Sequence, residues 1–118
     1  MILKLLMHIL KKNKKLNIDN EAVSFTDIED KFMEEAAELI EASRVWQENK
    51  NLENLKNIIR ETFDVIQMCI LILWRSDKEA KKLKADLLVQ TINLEHKDKV
   101  ITQYGWEPET GIRIEILK

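Results

Sequence analysis

One stretch decides the fold of this chain: residues 58–74 read IIRETFDVIQMCILILW. Apolar residues occupy nearly every helical face of this run, although Glu61 and Asp64 lie inside it. The run stays short of the roughly 18 uninterrupted apolar residues that a membrane span needs. A helix that is apolar nearly all round has to be covered by other helices, of its own chain or of a second subunit. The stretch therefore predicts a central, buried helix in a soluble helical protein.

Composition extends this prediction to the whole chain. A length of 118 residues with 45% apolar content suits one domain with its own core and is too short for two ordinary ones. Two Gly and one Pro are few for a β-rich or loop-rich fold. We therefore expect a single all-α domain over residues 1–118.

Charge and cysteine content bound the partners and the compartment. Lys and Arg number 19 against 21 Asp and Glu, so a net charge of -2 gives no reason to expect nucleic acid as a partner. Cys69 is the one cysteine, which favours a reducing cytoplasm, and its place in the apolar run predicts core packing. Lys4 and His8 interrupt the apolar N-terminus and no cleavage site follows, so we expect a cytoplasmic protein without membrane contact.

Hydrophobic periodicity divides the chain into four predicted helices. They cover approximately residues 1–15, 26–47, 52–75 and 78–99. Thr26 with Glu29 matches the capping box that starts a helix. Ser76 and Asp77 predict a break and an N-cap for the fourth helix.

The chain after the fourth predicted helix has a different pattern. Gly105 and Pro108 predict the end of the helical region. Residues 112–116 alternate between apolar and charged side chains as a strand does. A single short strand has no partner in this chain, so it is either a tail or a strand that pairs with another subunit.

Two pairs of carboxylates lie at helical spacing on neighbouring predicted helices. The first is Glu35-Ala-Ala-Glu38 and the second is Glu61-Thr-Phe-Asp64. Residues three apart share one face of an α-helix, so each pair directs two oxygen ligands the same way. Asp64, inside the apolar run, is hard to keep wholly in water, and burying an unpaired carboxylate is costly. Four converging carboxylates predict a site for a hard divalent cation. The ordinary alternative is a pair of solvated charged faces, because such spacings are common on exposed helices.

These residues resemble a known signature. The string from Lys31 to Glu38, KFMEEAAE, followed by Glu61-Thr-Phe-Asp64, resembles the EExxE and ExxD motifs of the MazG-like all-α nucleoside triphosphate pyrophosphohydrolases. The resemblance covers approximately residues 25–104. It implies a four-helix bundle-like MazG fold, completed by assembly into a homodimer or homotetramer. It also implies that Mg²⁺, with Mn²⁺ as a substitute, is bound by Glu35, Glu38, Glu61 and Asp64.

The resemblance implies a reaction as well: hydrolysis of a nucleoside triphosphate to pyrophosphate and a nucleoside monophosphate. Either Glu34 or a ligand carboxylate accepts the proton of the attacking water, and both alternatives stay open. Trp46 is the tryptophan nearest the acidic stripe and is the candidate for stacking on a base, although an aromatic residue at helical spacing is more often core. The candidates for the other substrate contacts are Lys31, Asn93, Lys97 and Lys99.

Two rival functions stay open on the sequence. One is a non-catalytic helical interaction module. The other is a related all-α phosphohydrolase that acts on a deoxyuridine or phosphoribosyl nucleotide. The sequence does not select a base or a sugar.

Overall fold

The computed structural model of the chain describes residues 2–117, which are mainly helical. A small antiparallel pair comes first, β1 (Lys12–Asn13) and β2 (Ile18–Asp19). The helices follow: α1 (Phe25–Glu48), α2 (Leu52–Lys82), α3 (Leu88–Asp98) and one π-helical segment (Lys99–Gln103). The expected helical class is confirmed, with two very short strands added. Within residues 2–117, no helix combines the length and apolar content needed to cross a bilayer.

Contacts along the chain divide it into two compact units, residues 1–79 and 80–118. The first unit holds the β pair, α1 and most of α2, and its core consists of Ile28, Met68 and Leu71. Four partly buried side chains pack against that core: Val23, Phe32, Ile72 and Trp74. Ile28, near the start of α1, meets Met68 and Leu71, whereas Glu35 and Glu38, later in α1, lie beside the earlier α2 residues Glu61 and Asp64. The two helices therefore run antiparallel, as the short connection between them predicts.

Helix α1 begins two residues earlier than the capping box predicted. Ser24 is the N-cap, and its hydroxyl accepts a hydrogen bond from the Asp27 amide at 3.1 Å. Ser24 has extended backbone angles, as an N-cap requires, whereas Thr26 already lies within the helix. The predicted end near Gln47 is confirmed, since the helix ends at Glu48.

Helix α2 is longer than predicted, because it continues through Ser76 and Asp77 to Lys82. The predicted break at these two residues is wrong: their lower helix propensity costs only about half a kcal/mol each, too little to stop a packed helix. The real stop is at Lys84, which has a φ of 60°. The Lys84 amide donates to the carbonyl of Lys81, and the Ala85 amide donates to that of Ala80. This is the Schellman pattern, here without the usual glycine.

The second unit therefore has a shorter helix than predicted. The expected helix from Lys78 begins only at Leu88, as α3, after the turn that ends α2. The end of the helical region is confirmed, because Gly105 takes a φ of 75° directly after the π-helical segment. Residues 112–116 form no strand within this chain, and the isoleucines there are highly exposed, as in a tail; pairing with another subunit stays a prediction.

The N-terminal segment also differs from its prediction. Residues 2–11 form neither helix nor strand, so the amphipathic helix over 1–15 is wrong. The segment is instead held by hydrogen bonds to distant residues: Gln67 Nε2 donates to the His8 carbonyl at 2.8 Å, and Asn20 Nδ2 donates to the Leu10 carbonyl at 3.0 Å. Asn17, with a φ of 54°, makes the turn between β1 and β2. These tertiary hydrogen bonds compete with the helix that periodicity alone favours.

Arg75 ties the start of α1 to α2. It is 8% exposed and the one buried charged residue in the described range. Its Nη1 donates to the backbone carbonyls of Asn20, at 3.1 Å, and Val23. Its guanidinium also lies 5.2 Å from the centre of the Phe25 ring. The loop that precedes α1 is thus anchored to α2, which fixes where α1 begins.

One side of α2 is not covered by its own chain. Cys69 is exposed, so its predicted core role is wrong. Leu73, one turn later on the same face, is 54% exposed. Leu52, Leu55 and Ile59 are also exposed, towards the start of the helix.

Candidate metal centre

The four acidic residues predicted from the sequence lie together. Glu35 and Glu38 are in the middle of α1, and Glu61 and Asp64 are on α2. One carboxylate oxygen from each residue can be chosen so that all four lie within 4.8 Å of one another. The cause is local and simple, because each pair is one helical turn apart and the two helices are antiparallel. The structure therefore brings the two pairs into one cluster.

Burial within this cluster is uneven. Glu35 and Glu61 are partly buried, whereas Glu38 and Asp64 are exposed. The expectation that Asp64 is difficult to keep in water is therefore wrong, and Glu61 is the more buried acid of this pair. The difference arises because the α2 face that carries Asp64 is left open to solvent, although it lies in the apolar run.

Glu61 carries an unpartnered buried atom. Its Oε2 is buried and has no hydrogen-bond partner among residues 2–117. Leaving a buried charged acceptor unsatisfied is costly, about 1–3 kcal/mol or more. An oxygen of this kind, beside three other carboxylates, is what a bound cation satisfies. The residues present therefore fit a divalent metal.

The electrostatics of the cluster indicate the same need for positive charge. The pKa of Glu38 is raised above its ordinary value, first by the negative charge of Glu35, then by desolvation and by the charge of Glu61. Like charges this close disfavour the ionised form. A cation at the cluster would reverse this effect.

Lys31 supplies the nearest positive charge. Its Nζ lies 3.1 Å from Glu35 and 3.5 Å from Glu34. The hydrogen bond to Glu35 is the main reason why the pKa of Lys31 is raised, against a smaller opposing effect of desolvation. Glu35 is well covered, with its side chain 12% exposed, while that of Glu34 is 61% exposed. Lys31 thus neutralises one acid of the cluster and leaves the other three uncompensated by it.

An open groove of about 550 Å³ adjoins the cluster and shares Glu38 and Glu61 with it. The remaining lining residues are Ala37, Glu41, Ala42, Val45, Asn54 and Asn57. Sequence reasoning missed the two asparagines. The signal was present, because Asn54, Asn57, Glu61 and Asp64 follow one another at helical spacings of three and four.

The hydrogen bonds of the two asparagines fix their amide orientations. Asn54 Nδ2 donates to the Asn49 carbonyl at 2.8 Å. Asn57 Oδ1 accepts from Arg60 Nη1 at 2.7 Å. A carbonyl accepts only and a guanidinium donates only, so neither amide can be reversed without losing its bond. Asn54 Oδ1 and Asn57 Nδ2 have no hydrogen-bond partner within the described part of the chain.

The other predicted substrate residues do not line the groove. Trp46 is half-buried on α1, next to the groove residue Val45, but does not line the groove. Asn93, Lys97 and Lys99 belong to the second unit and are exposed. Lys99 lies over the ring of Tyr104, 5.5 Å from its centre. The structure thus gathers Lys31, Glu34 and the four acids in the first unit, while the three phosphate candidates lie on elements of the second.

Comparison with known proteins gave no match to a family model, a curated protein or a solved structure. The chemistry of the site accordingly rests on the geometry of its own residues.

Proposed function

We propose that this chain is a metal-dependent nucleoside triphosphate pyrophosphohydrolase of the MazG-like kind. The observation that supports the proposal is the cluster of four carboxylate oxygens within 4.8 Å of one another, in which Glu61 also has a buried oxygen without a hydrogen-bond partner in the described structure. Hydrolysis releases pyrophosphate and leaves a nucleoside monophosphate.

Mg²⁺ is the proposed cofactor, with Mn²⁺ as a substitute. Mg²⁺ takes oxygen ligands at 2.0–2.1 Å, so ligands on opposite sides of it are about 4.2 Å apart. The oxygens of Glu35, Glu38, Glu61 and Asp64 all lie within 4.8 Å of one another, and a bound ion would draw them closer together, because adjacent ligands of an octahedral ion are only about 2.9 Å apart. Mg²⁺ also keeps waters and substrate phosphates in its shell, which suits a cluster with two exposed members.

A bound metal would supply charge neutralisation of the triphosphate and a lower pKa for a water at the α-phosphorus. The chain's own groups account for the remaining tasks. Glu34 is exposed and is not one of the four clustered acids, so we assign it the proton of the attacking water. The new bond joins water oxygen to the α-phosphorus, and the bond to the bridging oxygen breaks to release pyrophosphate.

Positive side chains are proposed to contact the phosphates. Lys31 is the cation beside the cluster and offers its ammonium to a phosphate oxygen. Asn93, Lys97 and Lys99 stay proposed phosphate contacts, and Trp46 stays a proposed stacking partner for the base.

Assembly into a homodimer or homotetramer belongs to the same proposal. Four apolar side chains of α2 are exposed, Leu52, Leu55, Ile59 and Leu73, and exposed apolar side chains that lie close together often mark an interface. A second copy of the chain would bury them. The same surface is what favours the rival function, a non-catalytic helical interaction module.

One experiment tests the proposal directly. The purified chain is assayed with Mg²⁺ against ribo- and deoxyribonucleoside triphosphates, with pyrophosphate and phosphate release measured separately. We expect pyrophosphate release from at least one substrate and its loss in Glu61→Gln. The matched control is Glu29→Gln on α1, because Glu29 is exposed and belongs neither to the cluster nor to the groove.

The outcomes separate the two functions. A folded parent protein that releases pyrophosphate from none of the triphosphates contradicts the enzyme and favours the interaction module. Equal activity of Glu61→Gln and Glu29→Gln would contradict the metal centre.

A further inference from the structure

We infer that the groove beside the carboxylate cluster receives the nucleobase and that Asn57 and Asn54 read its hydrogen-bonding edge. The inference rests on the proposed nucleotide pyrophosphohydrolase activity and adds the residues that distinguish one base from another. The groove is continuous with the cluster because Glu38 and Glu61 line both. A ligand whose phosphates lie at the cluster would therefore place its other end in this groove.

The lining of the groove suits a flat, polar-edged ring. Its volume of about 550 Å³ falls within the range of about 300–1,000 Å³ that is common for small-molecule sites. Ala37, Ala42 and Val45 on α1 are small and apolar and leave room for a ring. Trp46 does not line the groove, so binding of the base in the groove and stacking on Trp46 are alternatives. Asn54 and Asn57 on α2 add uncharged amides, which can form hydrogen bonds to neutral polar groups. Glu41 also lines the groove but is engaged by Arg44.

The free atoms of the two amides form a complementary pair. Asn54 has its nitrogen engaged by the Asn49 carbonyl and presents an acceptor, Oδ1. Asn57 has its oxygen engaged by Arg60 and presents a donor, Nδ2. The two residues are three apart on α2 and so lie on one face. One acceptor and one donor side by side match a base edge with a donor next to an acceptor.

Arg60 and Asn49 determine which atom of each amide remains free. An isolated amide can turn to suit either a donor or an acceptor, whereas these two are held by partners that cannot change roles. A fixed pattern discriminates, because a mismatched base leaves a polar group without a partner. The positioning residues are therefore Arg60, for Asn57, and Asn49, for Asn54.

The test converts the donor into an acceptor. Asn57→Asp keeps the acceptor for Arg60 and leaves the groove with two acceptors in place of an acceptor and a donor. Guanine presents two adjacent donors, N1–H and the N2 amino group, so the variant should favour it. We expect kcat/KM for the guanine substrate to rise about tenfold relative to those for the other three bases. Asn57→Ala, which removes the donor without strain on an exposed helix position, should reduce the differences among the four bases.

The control measurements separate recognition of the base from recognition of the phosphates. Inorganic tripolyphosphate has no base, so its inhibition of the reaction should be the same in the parent and in Asn57→Ala. Gln90→Glu makes the same amide-to-acid change at an exposed position of α3 in the second unit and should leave the base preference unchanged. All variants are assayed with either the ribo- or the deoxyribonucleoside triphosphates, whichever the parent hydrolyses. Circular dichroism first checks that their helical content equals that of the parent.

Two failures are distinguishable. An active parent whose relative kcat/KM values for the four bases are the same in Asn57→Asp and Asn57→Ala overturns the base-reading role and leaves the proposed activity intact. A parent that turns over no triphosphate contradicts the proposed activity, and the base-reading role falls with it.

Discussion

Replacing Arg75 with Met should destabilise the first unit strongly, although Arg75 is not part of the carboxylate cluster. Arg75 donates to the carbonyls of Asn20 and Val23 and lies over Phe25, so one side chain holds the segment that leads into α1. Met fills a similar volume without donors and leaves both carbonyls without their partner. Because α1 carries two of the four clustered acids, its start is also relevant to the site.

The magnitude follows from the contacts. A hydrogen bond from a charged donor contributes about 1.5–3 kcal/mol. The cation–π contact adds about 0.5–2 kcal/mol, depending on how far it is desolvated. The two carbonyls are only partly buried, and Met gains some apolar contact, so both effects reduce the sum. We expect a loss of about 2–3 kcal/mol, which corresponds to a fall in Tm of roughly 10–15 °C.

Urea unfolding followed by circular dichroism measures this loss. The matched control is Arg44→Met on α1, which removes a guanidinium that pairs with Glu41 and Glu48 at exposed positions. Surface ion pairs of this kind contribute about 0–1 kcal/mol, so the control should stay close to the parent. Equal stability of Arg75→Met and Arg44→Met would refute the anchoring role of Arg75. Arg75→Lys should be intermediate, since it keeps the charge but loses the planar donors.

Four further predictions concern the cluster and the assembly. Mg²⁺ should raise the Tm of the parent but not the Tm of Glu61→Gln. At a Mg²⁺ concentration one hundred times the Kd, the rise should correspond to about 2.7 kcal/mol of stabilisation. An equal rise in both proteins would argue against the site. Glu38→Gln should keep its helical content by circular dichroism but lose pyrophosphate release, because an amide is a poorer ligand for Mg²⁺. In metal-free buffer the same variant should be more stable than the parent at neutral pH. The reason is that the raised pKa of Glu38 reflects an ionised form that the fold disfavours, mainly through Glu35. Protonation of Glu38 stabilises the parent at low pH, and this stabilisation is lost as the pH rises through the raised pKa. The stability advantage of Glu38→Gln should therefore disappear on acidification. A difference in free energy of unfolding between variant and parent that stays constant over a pH series of urea unfolding would contradict this. Light scattering should give a mass of two or more chains, and Leu73→Lys, a change at an exposed position, should lower it; a monomeric parent would contradict the assembly.

Local spacing was enough to place the four acids together. Glu35 and Glu38 share a helical face, as do Glu61 and Asp64, and this holds in any α-helix. The short connection of residues 49–51 makes antiparallel neighbours of the two helices, so the pairs meet at similar depths. The ends of α1 and the first residue of α2 were close to their predictions for the same reason: caps and helix periodicity are properties of adjacent residues.

Tertiary contacts decided what local spacing could not. The sequence of residues 1–15 has helical periodicity, but Gln67 and Asn20 donate hydrogen bonds to the His8 and Leu10 carbonyls, and the backbone there is not helical. Ser76 and Asp77 have weak helix propensity, but α2 continues past them to a stop that Lys84 makes without glycine. In each case a contact between distant parts of the chain, or a backbone conformation that its residue rarely adopts, outweighs a preference of a fraction of a kcal/mol.

The same distinction applies within the site. The sequence by itself determined which acids converge, because helical geometry repeats every 3.6 residues. It did not determine that Glu61 rather than Asp64 is the buried one, or that Asn54 and Asn57 border a groove. Those facts depend on which faces of α1 and α2 meet and on the partners that fix each side chain. Burial and amide orientation are properties of neighbours in space, so only the tertiary structure could decide them.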